Sequence, residues 1–71
     1  MKKELIERIG YETIYLRHPT EDVVFKILPD GKGSFAKFKK EKEFRTDMKN
    51  NLLFEAVGGE MEISESEYKS Y

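Results

Sequence analysis

Cysteine is absent from this chain and histidine occurs once, at position 18. These absences exclude a disulfide framework and a zinc site built of Cys and His ligands, which small domains commonly use to gain stability. With 71 residues the chain forms one domain, 1–71, near the size at which a single core becomes marginal. Stability must therefore come from packing, from four tyrosines and five phenylalanines, or from a partner. We expect no metal and no other cofactor.

Long apolar runs are missing as well, and no segment approaches the roughly 18–20 apolar residues of a membrane span. The basic start, Met1 to Lys3, has the charge of a signal-peptide n-region. Glu4, Glu7 and Arg8 interrupt the apolar stretch that should follow it, so export is not expected. Because the absence of cysteine also fits a reducing compartment, the sequence predicts a cytoplasmic protein without a membrane partner.

Neither sign of charge dominates, since 13 Lys and Arg oppose 14 Asp and Glu for a net charge of −1. The distribution along the chain is uneven. Residues 32–50 carry seven basic and three acidic side chains, a net +4, whereas residues 51–71 carry one basic and five acidic side chains, a net −4. This polarity indicates a face for an acidic partner or a nucleic acid, or two blocks that neutralise each other in the fold.

A β-hairpin is the clearest local feature. Residues 23–28 alternate an apolar side (Val23, Phe25, Ile27) with a mixed one, as a strand does. Proline, aspartate and glycine in Pro29 to Gly33 are turn residues, and alternation resumes over Ser34 to Lys40. We expect substitutions of the turn glycines at 31 and 33 to cost stability more directly than binding.

Weaker signals surround this hairpin. Leu5, Ile6 and Ile9 predict a short helix over Lys2 to Ile9 that ends at Gly10. Residues 11–18 and 43–46 predict further strands. A competing interpretation makes residues 34–48 a helix, but the charged stretch in its middle breaks the apolar stripe.

The last third of the chain favours two short helices. Residues 47–57 fit a helix with Asp47 as N-cap and Gly58-Gly59 as C-cap, although strand alternation fits nearly as well. Ser64 and Glu67 have the spacing of a capping box. They predict a terminal helix from position 65 to about 70, with Tyr68 packed inward.

Together these elements predict an α+β fold: a small antiparallel three- to four-stranded β-meander with short N- and C-terminal helices packed on one face. Val24 and Leu28 would then leave a second apolar face of the sheet uncovered. An uncovered apolar face is typical of a protein interface or a dimer contact.

Catalytic chemistry finds no support in the residues. His18 is the only histidine, so no Ser-His-Asp or Cys-His system can be completed elsewhere by a second one, and a surface or satisfied structural role is expected for it. Glu60, Glu62, Glu65 and Glu67 are interpreted as solvated or capping carboxylates. The turn at residues 30–33 lacks the length and pattern of a phosphate-binding loop. We expect neither an enzyme nor a small-molecule substrate.

The remaining candidates lie on surfaces. Residues 35–44 interleave phenylalanines with lysines, the composition of a platform for single-stranded nucleic acid. The pI near 5.8 argues against nucleic acid, and Phe35 and Phe38 point to opposite faces of a strand. Lysines here also suit a protein contact or the protection of a sheet edge. The candidate partner-binding residues are Tyr15, Arg17, Phe35, Lys37, Lys39, Lys40 and Lys42.

The sequence thus predicts a non-catalytic protein-binding module, such as a small regulator, inhibitor or assembly partner. It would act through a sheet face or the basic strand 34–42, on another protein or on a second copy of itself. The alternative is a nucleic-acid-binding protein that uses residues 35–44. The composition is that of a compact, highly charged bacterial or phage accessory protein.

Overall fold

A computed structural model describes residues 4–47 and 49–71 as a four-stranded antiparallel sheet, whose strands lie side by side in chain order, with three short helices. The elements in chain order are α1 (Leu5–Arg8), β1 (Ile14–Arg17), β2 (Val23–Ile27), β3 (Ser34–Phe38), β4 (Phe44–Thr46), α2 (Asn51–Gly59) and α3 (Glu65–Lys69). The predicted α+β meander is confirmed. Within the described residues no helix is long and apolar enough to cross a membrane.

The predicted hairpin joins β2 to β3, with Phe25 opposite Ala36 in the register. The Lys32 N–H donates to the Pro29 carbonyl at 3.2 Å. Asp30 and Gly31 both have positive φ, 57° and 65°, as in the type I′ turns whose twist matches the strands of a hairpin. An aspartate tolerates this conformation better than most residues do.

Strands also form where the competing helix was considered, because β3 and β4 pair antiparallel and place Ala36 opposite Phe44. The helical interpretation of residues 34–48 is therefore wrong for its described part, and Met48 lies outside the described residues. At the other end, the N-terminal helix covers only Leu5–Arg8. Lys2, the predicted start of that helix, also lies outside the described residues.

The core occupies one face of the sheet, here called the α2 face. Its sheet residues are Ile14, Leu16, Val23, Phe25, Ile27 and Ala36. Leu53 and Ala56 of α2 and Leu5 of α1 pack against them. Because each fully buried aliphatic or phenylalanine side chain contributes about 1.5–3 kcal/mol, this layer holds most of the apolar stabilisation.

The other face, here called the α3 face, is covered by the C-terminal helix. The Tyr68 ring lies 5.3 Å from the Tyr15 ring, centroid to centroid, and Val24 is fully buried. The terminal helices therefore lie on opposite faces rather than together on one. The apolar face that the sequence predicted to be uncovered is covered at Val24 by α3. The chain runs along the edge of β1 before α3 begins, and α3 then packs on this face.

That passage also pairs with β1. The Arg17 N–H donates to the Met61 carbonyl at 2.9 Å, and the Ile63 N–H donates to the Tyr15 carbonyl at 3.0 Å. The segment 61–63 thus lies antiparallel along the outer edge of β1. It satisfies backbone groups that would otherwise form an open sheet edge.

The helix caps follow the sequence signals in part. The prediction of a helix before the paired glycines is confirmed, but Asn50 caps α2 instead of Asp47, accepting from the Leu52 N–H at 2.8 Å. Gly58 and Gly59 lie inside the helix, and Glu60 takes the left-handed position with φ of 52°. In α3 the predicted capping box of Ser64 and Glu67 is present with both of its bonds. Its serine and glutamate therefore mark the helix start as the sequence indicated.

Candidate interaction surface

The seven predicted binding residues divide between two places. Strand alternation puts Tyr15, Arg17, Phe35 and Lys37 on the α3 face, opposite to the buried side chains of their strands. Lys39, Lys40 and Lys42 lie exposed in the loop that joins β3 to β4. The sequence assigned these residues to a sheet face or to the basic strand 34–42, and the fold divides them between the α3 face and the β3–β4 loop.

The α3-face group is largely engaged in holding α3. The Tyr15 hydroxyl donates to Glu65 at 3.3 Å, and the Lys37 ammonium donates to the Lys69 carbonyl at 2.7 Å. The Lys26 ammonium lies 4.8 Å from the centre of the Phe35 ring, a cation–π contact. Because these side chains are used inside the fold, they are less available to a partner than the sequence suggested.

A polar cluster of three side chains under α3 was not anticipated. The Tyr68 hydroxyl donates to Glu43 at 2.6 Å, and the Lys26 ammonium lies 3.1 Å from the same carboxylate. The Tyr68 bond, followed by Lys26, lowers the pKa of Glu43 against the opposing effect of its burial. Burial, followed by the bond to Glu43, raises the pKa of Tyr68, which therefore stays a neutral donor. The sequence signal was Lys26 itself, a charge between the apolar residues Phe25 and Ile27 of β2.

The loss of folding stability at acid pH should depend on this cluster, and Glu43→Gln is expected to make that loss smaller. A carboxylate whose pKa is lowered by folding stabilises the protein above its unfolded pKa, and this stabilisation is lost as the pH falls toward the folded value. Urea unfolding should therefore show that the wild type loses more stability than the variant when the pH falls below 4.5, the ordinary pKa of glutamate. The exposed Glu41 provides the control variant, Glu41→Gln. Equal pH dependence for wild type and Glu43→Gln would contradict the assignment.

A partly exposed aromatic pair lies at the base of the β3–β4 loop, with Phe38 packed against the core and Phe44 more open to solvent. The Phe38 and Phe44 rings stack with centroids 5.9 Å apart and planes 13° from parallel, and Phe44 remains 43 % exposed. Both side chains belong to the α2 face, since Phe44 pairs with Ala36. We call the hairpin patch the set formed by this pair and the loop lysines: Phe38, Lys39, Lys40, Lys42 and Phe44.

The loop of the hairpin patch is held by backbone bonds while its ammonium groups remain in solvent. The Lys40 N–H donates to the Tyr71 carbonyl at 3.1 Å, and the Lys39 N–H donates to the Asp22 carbonyl at 3.3 Å. None of the three lysines forms a salt bridge within residues 4–47 and 49–71. No ion pair therefore joins these three lysines to the acidic tail in the described part of the chain, and the loop presents their ammonium groups to solvent.

The sequence suggested that the basic strand lies at a sheet edge, but the structure places it inside the sheet. β3 pairs with β2 on one side and with β4 on the other. The edge is formed by β4, which the sequence indicated only weakly because its three residues carry little alternation. Phe38 and Phe44 lie in the block 35–44 that the sequence offered for nucleic acid, but neither is among its seven candidate partner-binding residues. The proximity of these two rings depends on pairing across the loop.

His18 is fully used by the fold. Its side chain is buried, and Nδ1 accepts from the Thr20 N–H at 3.1 Å and from the Glu21 N–H at 2.9 Å. Since Nδ1 accepts, the proton lies on Nε2, which donates to Glu55 at 2.9 Å. The sequence left a surface or a structural role for this histidine, and burial and the two turn bonds make it structural.

The tail carboxylates are dispersed. Glu62 pairs with Arg8, Glu65 with Lys69, and Glu67 belongs to the α3 capping box. Within the described ranges no group of three or more His, Asp or Glu side chains is placed to hold a metal ion. These carboxylates therefore act in ion pairs and caps and do not converge on a site.

No protein-family model, curated protein or solved structure matches this chain. Any functional proposal must therefore rest on the surfaces described above. Of these, the hairpin patch combines exposed aromatic area with lysines that form no salt bridge in the part of the chain that the structure describes.

Proposed function

We propose that this protein is a non-catalytic protein-binding module, a small regulator, inhibitor or assembly partner, and that the hairpin patch is its contact surface. The observation that carries this proposal is the stacked pair of Phe38 and Phe44 beside three exposed lysines that form no salt bridge within residues 4–47 and 49–71. Protein interfaces are centred on aromatic anchors and surrounded by polar side chains. The hairpin patch has this composition on a small scale.

The same patch defines the chemistry of the partner. A stacked aromatic pair, partly exposed, offers a contact for an aliphatic or aromatic side chain. Lys39, Lys40 and Lys42 favour carboxylates around that contact and speed the encounter with an acidic surface. The partner we propose is therefore a protein with an acidic segment that also carries apolar residues. The absence of cysteine supports a reducing compartment, and we propose the cytoplasm as the place where the two meet.

Affinity capture with matched variants tests the proposal. The wild-type chain is compared with Phe44→Ala and with the triple variant Lys39→Glu, Lys40→Glu, Lys42→Glu. We expect a captured protein to bind each variant at least about tenfold more weakly, equivalent to about 1.4 kcal/mol. The control for the aromatic change is Phe54→Ala, because Phe54 is 76 % exposed on α2. The control for the charge change is Lys32→Glu with Lys49→Glu.

Retention of every captured protein by both patch variants would contradict the proposal. So would an equal loss on Phe54→Ala, because the effect would then belong to general surface hydrophobicity. Each variant is first checked for an unchanged unfolding midpoint. That check separates a lost contact from a lost fold.

The second candidate function is nucleic-acid binding, which the stacked phenylalanines beside lysines favour. Stacking of bases on exposed rings and neutralisation of phosphates by lysine would use the same hairpin patch. This function predicts binding to oligonucleotides at low salt, with affinity falling steeply as salt rises. A gel shift with single-stranded and double-stranded oligonucleotides decides the question. A salt-sensitive shift that disappears in the triple lysine variant would replace the protein-binding proposal.

A further inference from the structure

Among the described residues no strand pairs with the outer edge of β4, and the register identifies which residue directs its backbone donor and acceptor outward there. In the β2–β3 ladder the Leu28 N–H donates to the Gly33 carbonyl and the Lys39 N–H donates to the Asp22 carbonyl. Hydrogen-bonded pairs alternate along antiparallel strands, so Phe35 directs its backbone groups toward β2. Arg45, which lies opposite Phe35, is consequently not bonded to β3. Its N–H and C=O point away from the sheet.

The two edges of the sheet differ in whether another segment pairs with them. The segment 61–63 pairs with the outer edge of β1, as described above. In the sheet formed by the described residues, β4 is the terminal strand on the other side and no further strand pairs with it. An open edge of this kind is the template that extended peptides use when they add a strand to a sheet.

The Arg45 side chain adds a charge to this edge. Its guanidinium folds over the start of β3, with Nη2 3.0 Å from the point where a side chain at Gly33 would begin. No carboxylate within the described ranges forms a salt bridge with it. An open cleft of about 490 Å³ lies beside it, lined by Gly33, Ser34, Arg45, Thr46 and Asp47. The cleft leaves room for a carboxylate from outside the chain to reach the guanidinium.

The charge pattern of β4 disfavours a second copy of this chain as the occupant. Two copies paired antiparallel about Arg45 would place Arg45 opposite Arg45 and Glu43 opposite Asp47. Like charges directly opposite each other destabilise a strand pair. A strand with a carboxylate opposite Arg45 and an apolar side chain beside Phe44 meets no such repulsion. Since Phe44 and Arg45 face opposite sides of the sheet, the fitting strand alternates acidic and apolar residues.

We propose that the free edge of β4 binds an extended segment of another protein by strand addition, with a carboxylate of that segment paired to Arg45. This inference rests on the proposed protein-binding function and names the form that its partner takes. The backbone of Arg45 supplies the hydrogen bonds of the new ladder, and its guanidinium selects the acidic residue. The hairpin patch, next to the same strand, receives the apolar side chain.

A phage library of random linear dodecapeptides, panned on the wild-type chain, tests the proposal. We expect enriched peptides in which Asp or Glu alternates with aliphatic or aromatic residues. Arg45→Ala keeps the backbone N–H and removes the charge, and should weaken a selected peptide about tenfold. Arg45→Pro also removes the outward N–H and should weaken the peptide at least about tenfold more. Because that N–H makes no bond to β3, the proline variant loses no ladder bond of the sheet.

A second measurement on the wild-type chain covers the case in which Arg45→Pro fails to fold. Amide hydrogen exchange, followed by NMR with and without a selected peptide, should show slowed exchange at the Arg45 N–H on binding. An unchanged rate at Arg45 in the saturated complex would overturn strand addition. An unchanged peptide affinity in a folded Arg45→Pro would overturn it too.

Failure of this inference is distinguishable from failure of the proposed function. Enriched peptides without acidic residues, or a wild-type dimer that Arg45→Pro dissolves, would overturn the acidic-strand proposal. If no peptide is enriched but affinity capture still depends on Phe44, strand addition is wrong and the hairpin patch stands. If affinity capture is insensitive to the hairpin patch, the proposed function itself fails.

Discussion

Replacing Tyr68 with alanine should lower the free energy of unfolding by about 3–5 kcal/mol, the range for removing a buried aromatic side chain. Tyr68 is the buried residue of α3, only 3 % exposed, and its ring contacts Tyr15 and lies 5.7 Å from the Lys26 ammonium. Without it, α3 has five residues and no buried anchor. A helix that short does not persist without tertiary contacts, so α3 should detach and expose Val24.

The matched variant Tyr68→Phe keeps the ring and removes only the hydroxyl that donates to Glu43. Its cost should be about 1 kcal/mol, since a net hydrogen bond contributes about 0.5–1.5 kcal/mol and Glu43 is partly open to water. Urea unfolding of the three proteins, followed by circular dichroism, measures both changes. Equal losses for Tyr68→Ala and Tyr68→Phe would mean that the hydroxyl, and not the packing of the ring, holds α3.

The second large effect is expected at His18, where alanine should cost about 2–4 kcal/mol. His18 is 4 % exposed, and its Nδ1 accepts from two backbone N–H groups, those of Thr20 and Glu21. Alanine removes the acceptor for both donors and leaves a cavity between the β1–β2 turn and α2. An unsatisfied buried donor costs about 1–3 kcal/mol, and loss of the Nε2–H bond to Glu55 adds to this.

Asparagine at the same position separates the two contributions. Its Oδ1 is attached to Cγ, as Nδ1 is in histidine, so His18→Asn can still accept from the Thr20 and Glu21 N–H groups. It cannot reach Glu55. We expect it to be about 1–2 kcal/mol more stable than His18→Ala in thermal and urea unfolding. An asparagine variant as unstable as the alanine variant would show that the turn bonds are not what His18 contributes.

The features that could be predicted from the sequence depend on residues close together along the chain. The Asp30-Gly31 turn follows from the backbone preferences of neighbouring residues, and the α3 cap from side chains three positions apart. The alternation of β2 indicated its buried side directly. The single histidine left only a surface or a structural role open for His18, and the structural one depends on its contact with α2.

The candidate site was predicted only in part, because its members meet through pairing across the sheet. Lys39, Lys40 and Lys42 were identified from composition, and they remain exposed. Tyr15 and Lys37 were chosen as surface residues, but α3 covers or engages them. A five-residue helix carries too little pattern of its own to reveal the face on which it will dock.

The sequence by itself determined the fold class, the hairpin turn and the cap of the last helix, because propensity and short-range hydrogen bonding act within a few residues. Tertiary structure decided which aromatics remain exposed, which sheet edge is closed and which face α3 covers. Stacking of Phe38 on Phe44 requires the β3–β4 register, and the closed edge of β1 requires residues about 45 positions away. Such contacts form because apolar surface is buried across the whole domain, and the pattern of a short segment does not specify them.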